Sequence, residues 1–125
     1  MILDTNALSA FFDGDARLKT VLAKAVRISI PVIVLGEYRF GLLGSRMRKT
    51  IEPALDALQA TSDVLVIDAD TVRPYAKLRD RLKRAGTPIP SNDIWIAAIA
   101  MQHELPIVSQ DEHFDLVSGI RRLSW

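Results

Sequence analysis

Apolar residues in this chain form several short unbroken runs, and these runs predict strands. Buried strands are predicted at "MIL" before Asp4, at "RISI" ending at Ile30, at "VLVI" over residues 64–67 and at "PIVS" near the end of the chain. Pro31 cannot lie inside a central strand, so we predict that it opens the helix that follows. The final "RRLSW" predicts an edge strand.

Between these runs the apolar residues recur with helical spacing. Three groups have this spacing, over residues 18–25, 47–58 and 72–82. Pro53 predicts a kink or a restart in the second helix. In the third, we predict that Asp70 caps the helix, that Gly86 ends it, and that the inward side chains are Val72, Tyr75, Leu78 and Leu82. Strands that alternate with helices predict an α/β domain with a mainly parallel sheet.

The segment "PSNDIWIAAIAM" over residues 90–101 places an acid at the start of an apolar helix. A helix that is apolar on every side is typically buried, and a carboxylate at its mouth is costly. One explanation is structural: Ser91 or Asn92 caps the helix, and Asp93 suits the helix dipole in the first turn. The positions of the other acids suggest a second explanation.

Acidic residues follow two of the predicted strands. Asp4 comes directly after the first strand, and Asp111 is separated from Val108 by two residues. Ligands of parallel α/β sheets bind beyond the carboxyl ends of the strands, so we expect Asp4, Asp93 and Asp111 to meet at one edge of the sheet. Each acid alone also fits a structural role, since Asp4 and Asp111 can cap helices and Glu37 can be an exposed helix residue.

Clustered carboxylates repel one another, and a bound cation relieves that repulsion. The chain has no cysteine, and its only histidines are His103 and His113. This composition disfavours zinc and favours a hard ion held by oxygen atoms, Mg²⁺ or Mn²⁺. Such ions typically support phosphoryl chemistry, in which they activate water and neutralise charge on the leaving oxygen.

Length and composition limit the class of protein. The 125 residues predict one domain over residues 1–125, and 49% apolar with 25% charged residues is typical of a globular protein. The lack of cysteine fits a cytoplasmic protein, and no secretory signal is visible before Asp4. The longest apolar runs are too short to span a bilayer, so no membrane partner is expected.

The net charge of +1 does not itself indicate a nucleic-acid partner, but the basic residues are clustered. Six of them lie in one predicted helix: Arg73, Lys77, Arg79, Arg81, Lys83 and Arg84. A second cluster consists of Arg46, Arg48 and Lys49. Both clusters fit solvated helix faces at least as well as a surface that binds phosphate.

Four segments resemble the motifs of the PIN-domain family, and in particular those of its bacterial VapC-type toxin ribonucleases. They are "MILDTNALSAF", "VLGEYRFG", "PSNDIWIAAIA" and "IVSQDEHFDLV", which occur in the family's order and spacing across essentially the whole chain. The resemblance implies a three-layer α/β/α sandwich and an endoribonuclease that depends on Mg²⁺ or Mn²⁺. It also implies a homodimer that a cognate VapB-type antitoxin neutralises.

The resemblance assigns roles to individual positions. The family's four catalytic, metal-binding acids match Asp4, Glu37, Asp93 and Asp111. Two further positions match small polar residues that hold the acids by hydrogen bonds, Asn6 and Ser109, with serine where threonine is more usual. Of the two remaining acids nearby, Glu112 receives no role, and Asp115 is expected to face solvent.

The resemblance also implies where the antitoxin binds. We expect that the apolar surface near five residues does not all pack into the core: Phe11, Phe12, Tyr38, Phe40 and Leu42. An antitoxin helix in a groove there would bring a basic side chain to the acids, and arginine suits this role because it pairs bidentately with carboxylates.

Three other classes share part of this pattern. A receiver domain needs a lysine after a late strand, and no lysine follows Lys83. A haloacid-type phosphatase begins with Asp-x-Asp, whereas Asn6 stands in place of the second aspartate here. A catalytically inactive PIN-fold binding module remains as the alternative; the presence of all four acids disfavours it, and a measurement of metal-dependent nuclease activity separates it from the enzyme.

Overall fold

Five short strands form one sheet in the structure, a computed structural model that describes all 125 residues. The strands are β1 (Ile2–Leu3), β2 (Ser29–Pro31), β3 (Asp63–Leu65), β4 (Ile107–Val108) and β5 (Arg122–Leu123). Their order is β3-β2-β1-β4-β5, and every neighbouring pair is parallel. The predicted parallel sheet and the predicted last edge strand are confirmed.

Six helices flank the sheet and make the fold the predicted α/β/α sandwich. They are α1 (Thr5–Phe12), α2 (Ala16–Leu22), α3 (Val32–Leu43), α4 (Arg48–Thr61), α5 (Ala69–Arg84) and α6 (Ser91–His103), and a 3₁₀ turn follows at Glu112–Leu116. Pro31 ends β2 and caps α3, close to its predicted place. Helix α4 continues through Pro53, so the predicted restart does not occur. No helix is both long enough and apolar enough to cross a membrane.

The core lies around the two central strands and helix α6. All four residues of β1 and β4 are fully buried, as are Ile96 and Ile99 of α6. Helix α6 packs against α5 on one side and contacts α3 on another, which explains why it is apolar all round. The core therefore holds the first turn of α6, and with it Asp93, in a fixed position at the edge of the sheet.

The prediction of a buried strand at residues 64–67 is wrong. Strand β3 ends at Leu65 and lies at an edge of the sheet, and Val64, Val66 and Ile67 are 36%, 52% and 37% exposed. A run of β-branched residues favours a strand but does not determine whether that strand is central or at an edge.

The predicted cap of α5 is also wrong. Asp68, not Asp70, is the N-cap: its Oδ1 accepts hydrogen bonds from the backbone N–H groups of Asp70 at 2.9 Å and Thr71 at 3.2 Å. Thr71 then begins the buried face, which continues through Leu78 and Leu82. Val72 lies one residue off this face and is 54% exposed, contrary to prediction.

Candidate active site

The first acid of the site follows a central strand directly. Leu3 of β1 pairs with Val108 of β4, so Asp4 and Ser109 leave the sheet side by side at its carboxyl edge. The Asp4 N–H donates to the Val108 carbonyl at 3.2 Å, which extends the pairing by one residue. Asp4 is only 5% exposed, and Ser109 is fully buried.

Two polar side chains hold the Asp4 carboxylate. Ser109 Oγ donates to Asp4 Oδ2 at 2.8 Å, and Asn6 Nδ2 donates to the same oxygen at 3.1 Å. Ser109 Oγ in turn accepts from Asn6 Nδ2 at 3.0 Å and from the Asp111 N–H at 2.9 Å. The hydroxyl thus uses one donor and two acceptor positions, its full capacity. The structure places Asn6 and Ser109 in contact with Asp4, where the resemblance put them.

Glu37 joins three helices at the site. It lies in α3 and is partly buried. Thr5 Oγ1 donates to Oε2 at 2.6 Å from the start of α1, and Asn92 Nδ2 donates to Oε1 at 2.6 Å from the first turn of α6. Both carboxylate oxygens therefore have a fixed partner, which sets the orientation of Glu37.

The third and fourth acids meet at a histidine. Asp93 Oδ2 lies 3.3 Å from His113 Nδ1, and Asp111 Oδ1 lies 3.2 Å from the same nitrogen. One ligand atom from each of the three residues falls within 4.8 Å of the other two. The side chains of Asp93 and Asp111 are 16% and 33% exposed, so the group opens to solvent on one side.

The carboxylates influence one another electrostatically. Burial raises the pKa of Asp4 above its usual value, and the charges of Glu37 and Asp111 raise it further, while the Ser109 hydrogen bond opposes the increase. Burial also raises the pKa of Asp93, as do the charges of Asp111 and Asp4, against the hydrogen bond from His113. Asp4, Asp93 and Asp111 are thus close enough for their charges to act on one another, and Glu37 is close enough to act on Asp4.

The structure corrects one part of the structural explanation for the start of α6, the side-chain cap, while Asp93 does lie in the first turn of the helix. The helix begins after Pro90 with no side-chain cap, so neither Ser91 nor Asn92 has the predicted capping role. Asn92 instead contacts Glu37. Asp111 does have a structural role, because its Oδ1 accepts from the His113 N–H at 2.9 Å and caps the 3₁₀ turn.

Three residues at the site do not emerge from the sequence. Thr5 has no predicted role although it follows Asp4, and Asn92 is considered only as a helix cap. His113 is considered only as a zinc ligand, which the composition disfavours. The available signal was proximity, because each lies within two residues of a predicted acid. Asp115 forms a two-bond ion pair with Arg122, at 2.8 and 2.7 Å, and lies outside the cluster.

The donors at the site fit a hard divalent cation. Asp93 and Asp111 each place a carboxylate oxygen in one group with His113. Asp4 is buried, and its burial and the neighbouring carboxylates raise its pKa, as they do for Asp93. Oxygen atoms are the ligands that Mg²⁺ and Mn²⁺ prefer, and a cation among them removes the repulsion.

A groove of about 370 Å³ leads away from the acids between α1, α3 and the start of α4. Its lining includes Thr5 and Glu37 at the acidic end and apolar residues beyond them: Tyr38, Leu42, Met47 and Ile51. Tyr38 and Leu42 are also part of the core, at 9% and 4% exposed, whereas Phe40 is 78% exposed. The prediction that this apolar surface does not all pack into the core therefore agrees with the structure: Phe40 is exposed and Phe11 and Phe12 are only partly buried. Tyr38 and Leu42 belong to the core and also line the groove.

A second cavity of about 320 Å³ lies between the C-terminal half of α5 and the first turn of α6. Arg79 and Lys83, one turn apart on α5, line it together with Ser91. Arg79 Nη1 donates to the Tyr75 hydroxyl at 2.7 Å, and the Tyr75 ring stacks on Trp95 with centroids 3.6 Å apart. The structure thus separates two of the basic residues of α5 from the rest.

Comparison with known proteins agrees with the fold and the site. Residues 1–120 match the PIN domain family. Ribonuclease VapC5 of Mycobacterium tuberculosis is 31% identical over 120 residues, which are 94% of this chain and 87% of that protein. The VapBC2 structure of Rickettsia felis, bound to a DNA fragment from its promoter, has a TM-score of 0.87 and 25% identity, and the match covers 99% of this chain and 97% of that one.

A parallel α/β sandwich with four acids at the carboxyl edge of its sheet defines the class of the protein, an α/β domain with an acidic site beyond the ends of its strands. The chain belongs to the PIN domain family. Within that family it is similar to the VapC ribonucleases, as the four sequence motifs predicted.

Proposed function

We propose that this protein is a metal-dependent endoribonuclease and the toxin of a toxin–antitoxin pair. The observation that carries the proposal is the convergence of Asp4, Glu37, Asp93 and Asp111 in a fold shared with proteins named VapC ribonucleases. Residues 1–125 form a single PIN domain in this proposal, and RNA in the cytoplasm is the substrate.

The chain's own residues have distinct tasks. Asp4 and Asp93 would hold Mg²⁺ or Mn²⁺, and Glu37 and Asp111 would complete its shell or that of a second ion. When bound, the ion supplies an activated water and neutralises charge on the phosphate. Ser109 and Asn6 fix the orientation of Asp4 through the hydrogen bonds to its Oδ2.

A carboxylate also orients the attacking water or takes its proton, and Glu37 or Asp93 suits this task. Glu37 is held at both oxygens by Thr5 and Asn92, which leaves one lone pair on each oxygen for a water molecule. Asp93 is the other candidate, because its carboxylate lies in the open group with Asp111 and His113 and is 16% exposed.

The substrate presents its phosphodiester bond at an open, shallow site. The acids lie at the edge of the sheet, with Asp111 one-third exposed, so a chain can pass across them without entering a deep pocket. Unpaired loops and single strands are the RNA elements that fit, since their bases are unstacked and accessible.

The partner is a small VapB-type antitoxin that occupies the groove beside Glu37. Solved structures similar to this chain are VapBC toxin–antitoxin complexes, which supports a partner of that kind. The apolar lining beyond Glu37 suits the apolar face of an antitoxin helix. An arginine of the antitoxin next to that helix could then pair with the acids. The toxin itself is a homodimer in this proposal.

Sequencing the 5′ ends of cellular RNA after induction tests the proposed function and identifies the target. Wild type should generate new ends at defined positions and arrest growth. Asp4→Asn should generate none, because it keeps the hydrogen-bonding shape of the side chain and removes its charge. Equal sets of ends from both proteins would instead support the alternative, a PIN-fold binding module without chemistry.

A further inference from the structure

We propose that His113 is a ligand of the metal ion through Nδ1, and that this nitrogen makes the site bind Mn²⁺ more selectively against Mg²⁺ than the acids alone would. The inference rests on the proposed function for the presence of a divalent ion. It adds a residue outside the four acids and a reason for the choice between the two ions.

Two distances from the imidazole nitrogen to carboxylate oxygens fit neighbouring corners of a coordination shell. An octahedral ion with ligands at about 2.1 Å has neighbouring ligand atoms about 3.0 Å apart. His113 Nδ1 lies 3.2 Å from Asp111 Oδ1 and 3.3 Å from Asp93 Oδ2. An inward movement of a few tenths of an ångström, on the order of ordinary thermal motion, would bring both pairs to that spacing.

The local backbone holds the imidazole in this position. The backbone N–H of His113 donates to Asp111 Oδ1, so the main chain of His113 is held against the carboxylate of Asp111. A ring attached at that point can reach back over the carboxylate with Nδ1, the nitrogen nearer to the backbone. Substitution of the side chain leaves this N–H in place, so a variant loses the imidazole and keeps the cap of the 3₁₀ turn.

The nitrogen changes which ion the site prefers. Mg²⁺ binds oxygen almost exclusively and keeps several waters, whereas transition ions accept imidazole. Several carboxylates around one imidazole form a mixed oxygen and nitrogen set, which Mn²⁺ tolerates better than Mg²⁺ does. The histidine should therefore strengthen Mn²⁺ binding and contribute little to Mg²⁺ binding.

Binding of Mn²⁺ to the metal-stripped full-length chain tests this role without RNA. Pulsed electron paramagnetic resonance of the Mn²⁺ complex detects a directly bound nitrogen, and ¹⁵N-labelled histidine assigns it. Wild type should show the coupling, and His113→Gln should not. In calorimetric titrations, His113→Gln should lower Mn²⁺ affinity by about tenfold, by analogy with the loss of groups that support metal ligands, and should change Mg²⁺ affinity much less.

The matched control is the chain's other histidine. His103 ends α6, ten residues beyond Asp93 and so about 15 Å further along the helix axis. His103→Gln should keep both the nitrogen coupling and the ratio of the two affinities. His113→Asn provides a second variant, and a denaturant melt without metal verifies that each protein is folded.

Absence of nitrogen coupling in wild type would overturn the inference, and so would an equal loss of Mn²⁺ and Mg²⁺ affinity in His113→Gln. In that case His113 is a hydrogen-bond donor to the acids. Failure of the proposed function has a different signature, because a protein that binds Mn²⁺ through His113 and cleaves no RNA would retain the metal site and lose only the nuclease assignment.

Discussion

The Ser109 hydroxyl donates a 2.8 Å hydrogen bond to Asp4 Oδ2, across the ends of the two central strands. The same oxygen of Ser109 accepts the N–H of Asp111, so one buried hydroxyl links the first acid of the site to the loop that carries the fourth. Asp4 directly follows β1, and Asp111 lies three residues after the end of β4. The Ser109 hydroxyl therefore holds together the two chain segments that leave the central strands.

Replacing Ser109 with alanine should therefore affect stability and the site together. The change leaves the Asp111 N–H without its acceptor and takes from Asp4 a donor that lowers its pKa. We expect Ser109→Ala to lower the free energy of unfolding by about 2 kcal/mol and to weaken metal binding, measured by denaturant melts and titration. Ser109→Thr keeps the hydroxyl and is the control; if alanine and threonine behave alike, the hydroxyl does not hold the site.

Charge at Asp93 should destabilise the metal-free protein. Its pKa is raised in the folded state above the ordinary 3.8, so the folded chain holds this proton over a pH range in which the unfolded chain has released it. The contribution of Asp93 to the free energy of unfolding is therefore fully present below pH 3.8, and it is lost as the pH rises through the folded-state pKa and the carboxyl ionises. Asp4 acts in the same direction.

Asp93→Asn removes that charge and keeps the shape of the side chain. In EDTA near neutral pH, we expect the variant to be more stable than wild type by about 1 kcal/mol, a modest value because the carboxylate is partly open to solvent. Mg²⁺ should narrow or reverse the difference, since wild type gains more from binding. Paired melts at matched ionic strength measure both. An equal loss of stability in the variant under both conditions would make Asp93 a structural residue.

Of the basic residues of α5, we expect one pair to contact RNA and a second pair with the same spacing not to. Arg79 and Lys83 line the cavity beside the first turn of α6, whereas Lys77 and Arg81 have the same spacing on another part of the helix surface. Replacing Arg79 and Lys83 with glutamine should weaken RNA binding and reduce the log–log salt slope by about 0.7 for each phosphate that the variant no longer neutralises.

The double variant of Lys77 and Arg81 is the control for that experiment, because it removes the same charge from the same helix. It should leave the salt slope close to that of wild type. Equal effects of the two double variants would mean that only net charge matters. No effect from either would make the basic residues a solvated face. Arg84 is expected to contribute little, because it pairs with Asp80.

The groove beside Glu37 can be filled without disturbing the core. Gly41 of α3 lines the groove, and a Cβ added there would meet no atom within 4 Å. We expect Gly41→Leu to fold normally and to lose binding of the antitoxin, measured by co-purification and titration. Gly36→Leu is equally open, lies on the same helix outside the groove lining, and should bind as wild type does. Unchanged binding by Gly41→Leu would place the partner elsewhere.

Much of the fold could be predicted because each central element has a strong local pattern. The unbroken runs that became β1 and β4 are too short for a helix, and α6 is too apolar to be exposed. The rule that ligands bind at the carboxyl ends of parallel strands then brought Asp4, Asp93 and Asp111 to one place, where the structure has them. The resemblance supplied Glu37, whose contacts to Thr5 and Asn92 place it beside them.

The errors arose where local pattern does not determine the outcome. Whether β3 is central or at an edge depends on the order of strands in the sheet, to which residues 64–67 contribute no signal. Asp68 and Asp70 are both suitable caps, and Gln102 of α6 favours Asp68 because it contacts both Asp68 and Thr71. His113 reaches the acids through a 3₁₀ turn, whose geometry has no periodic sequence pattern.

Cleavage of single-stranded RNA by the purified chain is the most direct test of the central claim, that the four acids form a metal-dependent ribonuclease site. Cleavage should occur with Mg²⁺ or Mn²⁺, stop in EDTA, and return when the ion is restored in excess. Asp4→Asn and Asp93→Asn should be inactive although they remain folded. Full cleavage in EDTA, or by Asp93→Asn, would contradict the account.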